Sequence, residues 1–527
     1  MSTVSPPSKK YPIGKIEIYV YFVIWISHCL SSIWIASKSS RSLDPWLQGK
    51  IIKSNYLTNF DYDNSDLEWN LHKSVILKVI GTFILHSIVF RLTNKIFHFY
   101  PTLTRLGCIL FWSALTIYLT SFQCFSMIIL HAFVTIIITS HFRKQWLAWA
   151  ICLSFVIYAN KYAYFSPPPE VYYIEYSFYL YTAIQILNVC IFLSRNPEIS
   201  LNFDLFLQFF EYFLYPPYSI TLIVLFEDFK IQITSLRHRS LNGNIWGTQI
   251  NATNILIKAL RLIVWYFFIE AFLHFIHANA VVGAPFTLIG GLANYEVASI
   301  AYMSGQFFYL KYVVIFGVPS LFALIDGMTP PGPPICISRV SKYSQMWRYF
   351  DRGLYEFLKN QVYIPLMGNS VGIEATLRRL FGMIAVFGFV LAWHGTKSNY
   401  LMWVLLSAFE LVMERIGKTI GNTQKWKDLT IKIGSANILR LSAIAMDLTI
   451  IPGLLGAFFF LSQDGTGDEI MRKLVIEGFS EIFERKIRWS EPGGVMLNML
   501  ILGYFYNHCC LYLEHVMHPK LSKSKIE

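Results

Sequence analysis

The stretch IEIYVYFVIWISHCLSSIWIA, residues 16–36, carries one charged residue, Glu17, in a largely apolar and aromatic run. A helix of about 20 such residues spans the hydrocarbon core of a bilayer. No small-residue cleavage site follows the run, so we interpret it as a retained first helix and not as a removable signal peptide. The beginning of the chain therefore predicts a fold that forms in lipid.

Similar runs recur along the chain and dominate its composition. Of 527 residues, 54% are hydrophobic, 17% aromatic and 14% charged. A soluble globular domain carries about a quarter of its residues as charges, so this composition excludes that class. The sequence predicts an all-α polytopic membrane protein with about ten to twelve transmembrane or re-entrant helices. The candidate runs are 16–36, 74–90, 106–120, 121–139, 145–159, 173–193, 254–277, 299–325, 378–393, 399–412, 436–460 and 495–513.

No long polar block separates these runs, so residues 1–527 are expected to form a single integral domain. The run 201–226 is interrupted by Pro216 and Pro217, which predicts a broken helix there. The eight cysteines lie mostly in apolar runs, which argues against a disulfide framework.

The formal charge of +12 is spread over short loops and both tails. We interpret it as topology determinants and lipid headgroup contacts, and we expect no nucleic acid partner. Both tails are basic, which predicts that both termini are cytosolic. The last five residues, KSKIE (523–527), match the K-x-K-x-x signal that returns membrane proteins to the endoplasmic reticulum. We therefore expect a multi-pass protein of the endoplasmic reticulum membrane.

Residues 330–400 differ in character from the rest of the chain. Four prolines between residues 330 and 334 exclude a helix and lead into Cys336. The stretch QMWRYFDRGLYEFLK, residues 345–359, then places apolar side chains at 347, 350, 354, 357 and 358. These spacings predict one amphipathic helix over 345–359 that lies at the membrane surface or caps a cavity.

Two ionisable residues in this region are candidates for chemistry. His394 lies in Trp393-His394-Gly395 at the end of an apolar run, and Asp351 lies within the amphipathic stretch. Histidine is the usual general base near neutral pH, and ionisable residues at a membrane tend to mark substrate paths. A plain alternative is open for each: His394 as an interfacial residue bonded to a carbonyl, and Asp351 as a surface carboxylate paired with Arg348 or Arg352.

A third group occupies the run 254–277. Glu270, His274 and His277 are spaced by four and three residues, which places them on one helical face. They could hold a metal ion, but a tight site needs at least three well-oriented ligands. We favour a hydrogen-bonded polar seam or a channel lining.

The residues of 330–400 resemble a known family. Met346-Trp347-Arg348-Tyr349-Phe350-Asp351, Gly353-Leu354, Val362-Tyr363-Ile364-Pro365 and Trp393-His394-Gly395 are similar to motifs of the membrane-bound O-acyltransferase family, in particular its hedgehog acyltransferase branch. The resemblance implies an all-α fold around an intramembrane tunnel. It also implies a protein-cysteine N-palmitoyltransferase, which moves palmitate from palmitoyl-CoA to the N-terminal cysteine amine of a secreted signalling protein.

The resemblance also implies roles for single residues. His394 and Asp351 would be catalytic, while Trp347, Arg348 and Trp393 would bind substrate. Cys336 would ligate the iron of a haem b. The partners implied are acyl-CoA, membrane lipid and a hedgehog-like or EGF-like protein with an N-terminal cysteine.

Two other classes of function are compatible with the same residues. One is an acyltransferase whose acceptor is a lipid or a sterol. The other is a transporter in which His394, Asp351 and Glu270 line a polar path through the membrane.

Overall fold

The structure is a computed structural model that describes residues 11–162, 169–241, 252–369, 372–395, 397–463 and 465–523, without the side chains of 160–162, 240–241 and 518–523. The predicted all-α fold is confirmed, because helices dominate the described residues. Within those residues, nine helices are long and apolar enough to cross a bilayer. The retrieval motif KSKIE begins at Lys523, whose side chain is not described, and its other residues, 524–527, lie outside the described part of the chain.

In the described part of the first half of the chain there are twelve helices and one small sheet. The helices are α1 (Lys15–Ser42), α2 (Leu67–Ile96), α3 (Pro101–Leu119), α4 (Phe122–Phe142), α5 (Gln145–Tyr162), α6 (Pro169–Arg195), α7 (Phe203–Leu214), α8 (Pro216–Ser219), α9 (Phe226–Leu241), α10 (Ala252–Phe275), α11 (Ala278–Val282) and α12 (Phe286–Gly290). Strands β1 (Ile51–Lys53) and β2 (Asp61–Asp63) pair antiparallel between α1 and α2, with Ile52 opposite Tyr62. As predicted, the proline pair ends α7 and leaves the single turn α8.

The second half contains eleven further helices. They are α13 (Asn294–Ile325), α14 (Tyr343–Tyr349), α15 (Arg352–Leu358), α16 (Ile364–Met367), α17 (Gly372–His394), α18 (Ser398–Gly421), α19 (Gln424–Ile433), α20 (Ser435–Leu461), α21 (Thr466–Met471), α22 (Glu477–Phe483) and α23 (Pro492–Lys523). Short 3-10 turns cover Asp44–Trp46 and Ile337–Arg339, and π turns cover Lys359–Tyr363 and Arg472–Ile476. Each predicted apolar run overlaps one of the helices named above.

Among the described residues, the interior is built mainly from two large hydrophobic cores, beside a small third one between α1 and α23. One is formed mainly by α1, α2, α10, α13 and α20, and the other mainly by α3, α6, α7 and α9. Trp393, at the end of α17, packs against both cores. The region around Trp393 is therefore where the two halves of the bundle meet.

Candidate active site

The helix predicted over 345–359 is broken in the structure. Helix α14 ends at Tyr349, and α15 begins at Arg352 with Asp351 as its N-cap. The Asp351 Oδ1 atom accepts the Leu354 backbone N–H at 2.9 Å. The backbone of Gly353 packs so tightly that a Cβ atom there would lie 2.3 Å from the carbonyl oxygen of Ile223. The single-helix prediction is wrong because the cap and this close contact start a new helix.

Asp351 has no arginine partner among the described residues. Neither Arg348 nor Arg352 forms a described ion pair with it, and the Arg348 guanidinium lies 5.6 Å from the ring centre of Tyr355 instead. The Asp351 side chain is surrounded by protein on most sides yet remains half-exposed. Burial raises the pKa of Asp351 to about 6, against the effect of its backbone hydrogen bonds. Its carboxylate thus both caps α15 and carries a charge that changes near neutral pH.

His394 is the last residue of α17, and Gly395 follows it with a φ of +114°. The imidazole is half-buried and meets Trp403 and Phe460 edge-on, with ring centres 5.3 and 5.1 Å away. Its ring contacts are described, but no side-chain hydrogen bond to another described residue accompanies them. The histidine is therefore held by aromatic packing, and its ring nitrogens are not committed to a described protein partner.

His394 and Asp351 border the same group of aromatic rings, which we call the aromatic cluster: Phe308, Tyr312, Phe350, Trp403 and Phe460. Phe460 contacts Phe308 at 5.5 Å between ring centres, and Phe308 stacks on Phe350 at 5.5 Å with an interplanar angle of 5°. Phe350 immediately precedes Asp351. The structure thus brings the two predicted catalytic residues to one cluster, but no described contact joins them directly.

Two of the three predicted substrate-binding residues adjoin this cluster. Trp347 stacks on Trp403 with ring centres 5.6 Å apart. Trp393 contacts Tyr181 edge-on, with ring centres 5.7 Å apart. Tyr181 in turn is close enough to Asp351 for the carboxylate to interact electrostatically with the tyrosine hydroxyl. Arg348, the third, is exposed on α14 and points elsewhere. The two tryptophans pack among aromatic rings, whereas the arginine is exposed.

A buried ion cluster beside these rings was not predicted. Lys311, within α13, lies 2.8 Å from carboxylate oxygens of both Asp66 and Glu68. The Tyr312 hydroxyl donates to Glu68 at 3.0 Å, and the Tyr312 ring contacts Phe350 at 5.9 Å. The signal was present, because Lys311 is the only charged residue in the run 299–325 and ionisable residues inside a membrane tend to be functional.

Glu270, His274 and His277 each bind a different partner. Glu270 accepts the indole N–H of Trp69 at 2.8 Å, and His274 hydrogen-bonds to Ser54 at 2.8 Å. His277 lies 2.7 Å from Asp44. These contacts form a hydrogen-bonded seam between α10 and the 43–69 region. Across the described residues, no group of three or more His, Cys, Asp or Glu side chains is placed to hold a metal ion.

Cys336 begins the turn Ile337–Arg339 and is half-buried. Its sulfur is hydrogen-bonded to Tyr309, and the charges of Arg261 and Arg339 act on that tyrosine. A haem bound through cysteine takes one thiolate from the protein. The half-buried thiol of Cys336 is a group of that kind.

A mainly apolar cavity lies next to the same region, between α1, α13, α20 and α23. Its volume is about 230 Å³, and it is partly open to its surroundings. Its walls include Gly305 and Gln306 of α13 and Tyr343 and Met346 of α14. This space, which we call the α13 cavity, reaches α14 beside Trp347.

Comparison of the sequence with known proteins identifies its family. Residues 96–447 match the family model of the membrane-bound O-acyltransferase family, MBOAT. The match covers more than half of the chain, and the chain belongs to this family. The resemblance found in the sequence is confirmed.

Individual relatives are similar over a smaller part. Protein-cysteine N-palmitoyltransferase Rasp of Drosophila melanogaster is 32% identical over 222 residues, 42% of this chain and 43% of Rasp. Protein-cysteine N-palmitoyltransferase HHAT of Mus musculus is 33% identical over 203 residues, 38% of each chain. Membrane-bound O-acyltransferase GUP1 of Saccharomyces cerevisiae is 26% identical over 219 residues, 41% of this chain and 36% of GUP1. The aligned part thus spans about two fifths of the length of these relatives.

Proposed function

We propose that this protein transfers a palmitoyl group from palmitoyl-CoA to the N-terminal cysteine amine of a secreted, hedgehog-like or EGF-like signalling protein. The observation that carries the proposal is the placement of His394 and Asp351 on one half-open aromatic cluster. The similarity to Rasp and HHAT supports the acceptor, and residues 1–527 would act as one integral domain.

In the proposed reaction, His394 takes a proton from the substrate ammonium. The free amine attacks the thioester carbonyl carbon, a C–N bond forms, the C–S bond breaks, and the CoA thiolate leaves and takes up a proton. One proton is released for each acyl group transferred. A histidine without a described hydrogen-bond partner suits this role, because a general base must reach the proton that it removes.

Asp351 would stabilise positive charge during this transfer. An ammonium ion enters the site, and an imidazolium forms there. A carboxylate in a water-poor environment stabilises nearby cations more strongly than it would in bulk water. Asp351 is held by its cap and not by an arginine, so its charge is available to the substrate.

The α13 cavity would receive the acyl chain, because its walls are mainly apolar and it reaches α14. Trp347 and Trp393 would line the path of the substrates. Arg348 is exposed and would attract the phosphates of CoA as they approach. The CoA and the secreted protein would then enter the site from opposite faces.

We also propose that Cys336 ligates haem b, as the resemblance implies. When bound, the haem would supply a structural link between the 336–340 segment and α13. Purified protein is expected to show a thiolate-type Soret band that Cys336→Ser removes. A folded wild-type protein without that band would end the haem proposal and leave the transferase proposal intact.

For the location, we propose the endoplasmic reticulum membrane, with both termini in the cytosol. Tags at either end should be accessible after selective permeabilisation of the plasma membrane. A tag protected until the lumenal side is opened would contradict this topology.

The deciding experiment uses purified protein, labelled palmitoyl-CoA and a peptide that begins with cysteine. Label should reach this peptide and should not reach a matched peptide with an acetylated amine. His394→Ala should abolish the transfer.

An acyltransferase with a lipid or sterol acceptor is the second candidate, since the similar protein GUP1 is named an O-acyltransferase and the hydroxyl groups of lipids and sterols are oxygen acceptors. In that case label would accumulate in added lipid and not in either peptide. A transporter would move an ion across liposomes without consuming palmitoyl-CoA.

A further inference from the structure

The end of α18 and the short helix α19 form an exposed, basic protrusion, residues 415–433, which we call the α18–α19 tip. Its exposed cations are Arg415, Lys418, Lys425, Lys427 and Lys432. Asp428 is the only acidic residue between positions 415 and 433. None of the five cations takes part in an ion pair with the described residues. A net charge of this size without protein partners points to an anion outside the chain.

The neighbouring helices α20 and α1 show where the tip lies relative to the membrane. Helix α20 is long and apolar enough to cross a bilayer, and α19 leads directly into it. Arg440, near the start of α20, pairs with Glu17 near the start of α1 at 2.7 Å. The tip therefore lies on the face of the molecule where α1 begins, at the boundary of the membrane.

The side chains of α19 are divided between two faces. Trp426, Leu429 and Ile433 follow a spacing of three and four residues and are half-buried, while the lysines at 425, 427 and 432 are exposed. Apolar and aromatic residues on one face with lysines on the other are typical of helices that lie in the plane of a membrane interface. The exposed isoleucines of the tip, at 416, 420 and 431, are also better placed in lipid than in water.

From this arrangement we propose that the α18–α19 tip binds the headgroups of anionic phospholipids through Lys425, Lys427 and Lys432. The lysines would contact phosphate and carboxylate groups, and the apolar face would contact the upper part of the acyl chains. Helix α18 also carries Trp403, which contacts His394. Lipid bound at the tip would thus steady the helix that packs against the candidate base. The proposal does not depend on the acceptor of the transferase.

The test titrates short-chain phosphatidylserine into the full-length protein in neutral detergent and follows the melting temperature. Because a ligand that binds the folded state stabilises it, phosphatidylserine should raise the melting temperature and phosphatidylcholine should not. Raised salt should weaken the effect. Replacing Lys425, Lys427 and Lys432 by glutamine should weaken the apparent affinity by about tenfold or more.

Two matched variants separate charge from structure. Arginine at the same three positions should keep the affinity, because the charge is retained. Glutamine at Lys53, Lys486 and Arg488, which are exposed cations away from the tip, should leave it unchanged.

Three results would overturn the proposal. They are an unchanged affinity in the tip glutamine variant, an equal response to phosphatidylcholine, and loss of phosphatidylserine binding in the control variant. Competition by CoA that the tip substitutions remove would also overturn it, since the tip would then be a nucleotide-phosphate site. The peptide assay reports on the transferase independently, so the two proposals can fail separately.

Discussion

His86 with Asp326 and His394 with Asp351 are two contrasting arrangements of a histidine and an aspartate. His86 and Asp326 are fully buried and joined at 3.0 Å, and Asp326 also accepts the hydroxyl of Tyr215 at 2.7 Å. His394 and Asp351 are half-exposed and meet only through the rings of the aromatic cluster. The first pair is fully buried, whereas both side chains of the second are partly exposed.

If His394 and Asp351 act as proposed, a direct hydrogen bond between a histidine and an aspartate is not what marks the functional residues of this molecule. A buried hydrogen-bonded pair fixes helices in place, in this case α2 against the end of α13, although His86 Nδ1 and Asp326 Oδ1 find no hydrogen-bond partner among the described residues. A base and a carboxylate that await a substrate need open space and unused hydrogen-bonding capacity. The variants described next test whether the two arrangements differ in this way.

The largest expected effect is on turnover. His394→Ala should lower palmitoyl transfer by at least about 100-fold, the lower end of the usual contribution of a general base. Palmitoyl-CoA binding and the melting temperature should change little, because the ring makes only packing contacts. Turnover per folded molecule is the measurement. Wild-type turnover in folded His394→Ala would remove the catalytic assignment.

His86→Ala should show the opposite pattern. Breaking a buried pair by removing one partner costs about 3 kcal/mol of stability, since the other partner stays buried. The melting temperature should fall clearly, while the folded fraction keeps its turnover. His141→Ala, on α4 and away from both this pair and the α13 cavity, serves as a control for loss of a histidine on a membrane helix. A stable but inactive His86→Ala would mean that the closed pair takes part in catalysis.

Asp351→Asn sharpens the comparison through pH. With the pKa of Asp351 raised to about 6, its charge is present above that pH and is lost as the pH falls through it. If both Asp351 and His394 must be unprotonated, the acid side of the pH profile involves two protons. In Asp351→Asn the acid side of the profile should involve one proton, and the activity should be lower at every pH. An identical profile in the two proteins would exclude a role for the Asp351 charge.

The same variant separates charge from capping. Burial of an ionised carboxylate with a raised pKa costs stability at neutral pH, so Asp351→Asn should be at least as stable as wild type there. Asparagine retains a cap oxygen for α15. Asp351→Ala removes it and should lose about 1 kcal/mol more. Equal stability of the two variants would show that the cap contributes little.

The smallest effect concerns the open space itself. A Cβ at Gly305 would meet no atom within 4 Å, and Gly305 lines the α13 cavity. Gly305→Leu should occupy the space of about two methylenes of a palmitoyl chain. At about 0.8 kcal/mol for each methylene, the transfer of palmitate from palmitoyl-CoA should fall roughly tenfold. Shorter acyl-CoAs should be affected less. Gly107→Leu, equally unobstructed but outside the cavity, should leave the chain-length preference unchanged.

Much of the fold could be predicted from the sequence, because membrane helices leave a strong local signal. The long apolar runs all became helices, and the break at Pro216 was visible in the residues themselves. His394 and Asp351 could be chosen because each lies in a motif of several unusual residues. Their catalytic roles stay predictions.

What could not be predicted depends on contacts between distant parts of the chain. The break before Asp351 follows from the approach of Gly353 to Ile223, 130 positions earlier. Similarly, Lys311 finds Asp66 at a separation of 245 residues. A single sequence does not reveal which distant helix will supply such a partner. The isolated lysine in an apolar run was the usable signal, and it was overlooked.

The ion pair between Lys311 and Asp66 has a consequence for how the protein is made. A ribosome adds about 5 to 20 residues per second, so the 245 residues between the two take roughly 10 to 50 seconds to synthesise. During that interval Asp66 and Glu68 have reached the membrane, but Lys311, the cation that pairs with them, has not yet been synthesised. Because both carboxylates stand at the very start of α2, they can stay in water at the membrane surface until α13 arrives. Insertion of α13 would then act as a late checkpoint in the biogenesis of the whole bundle.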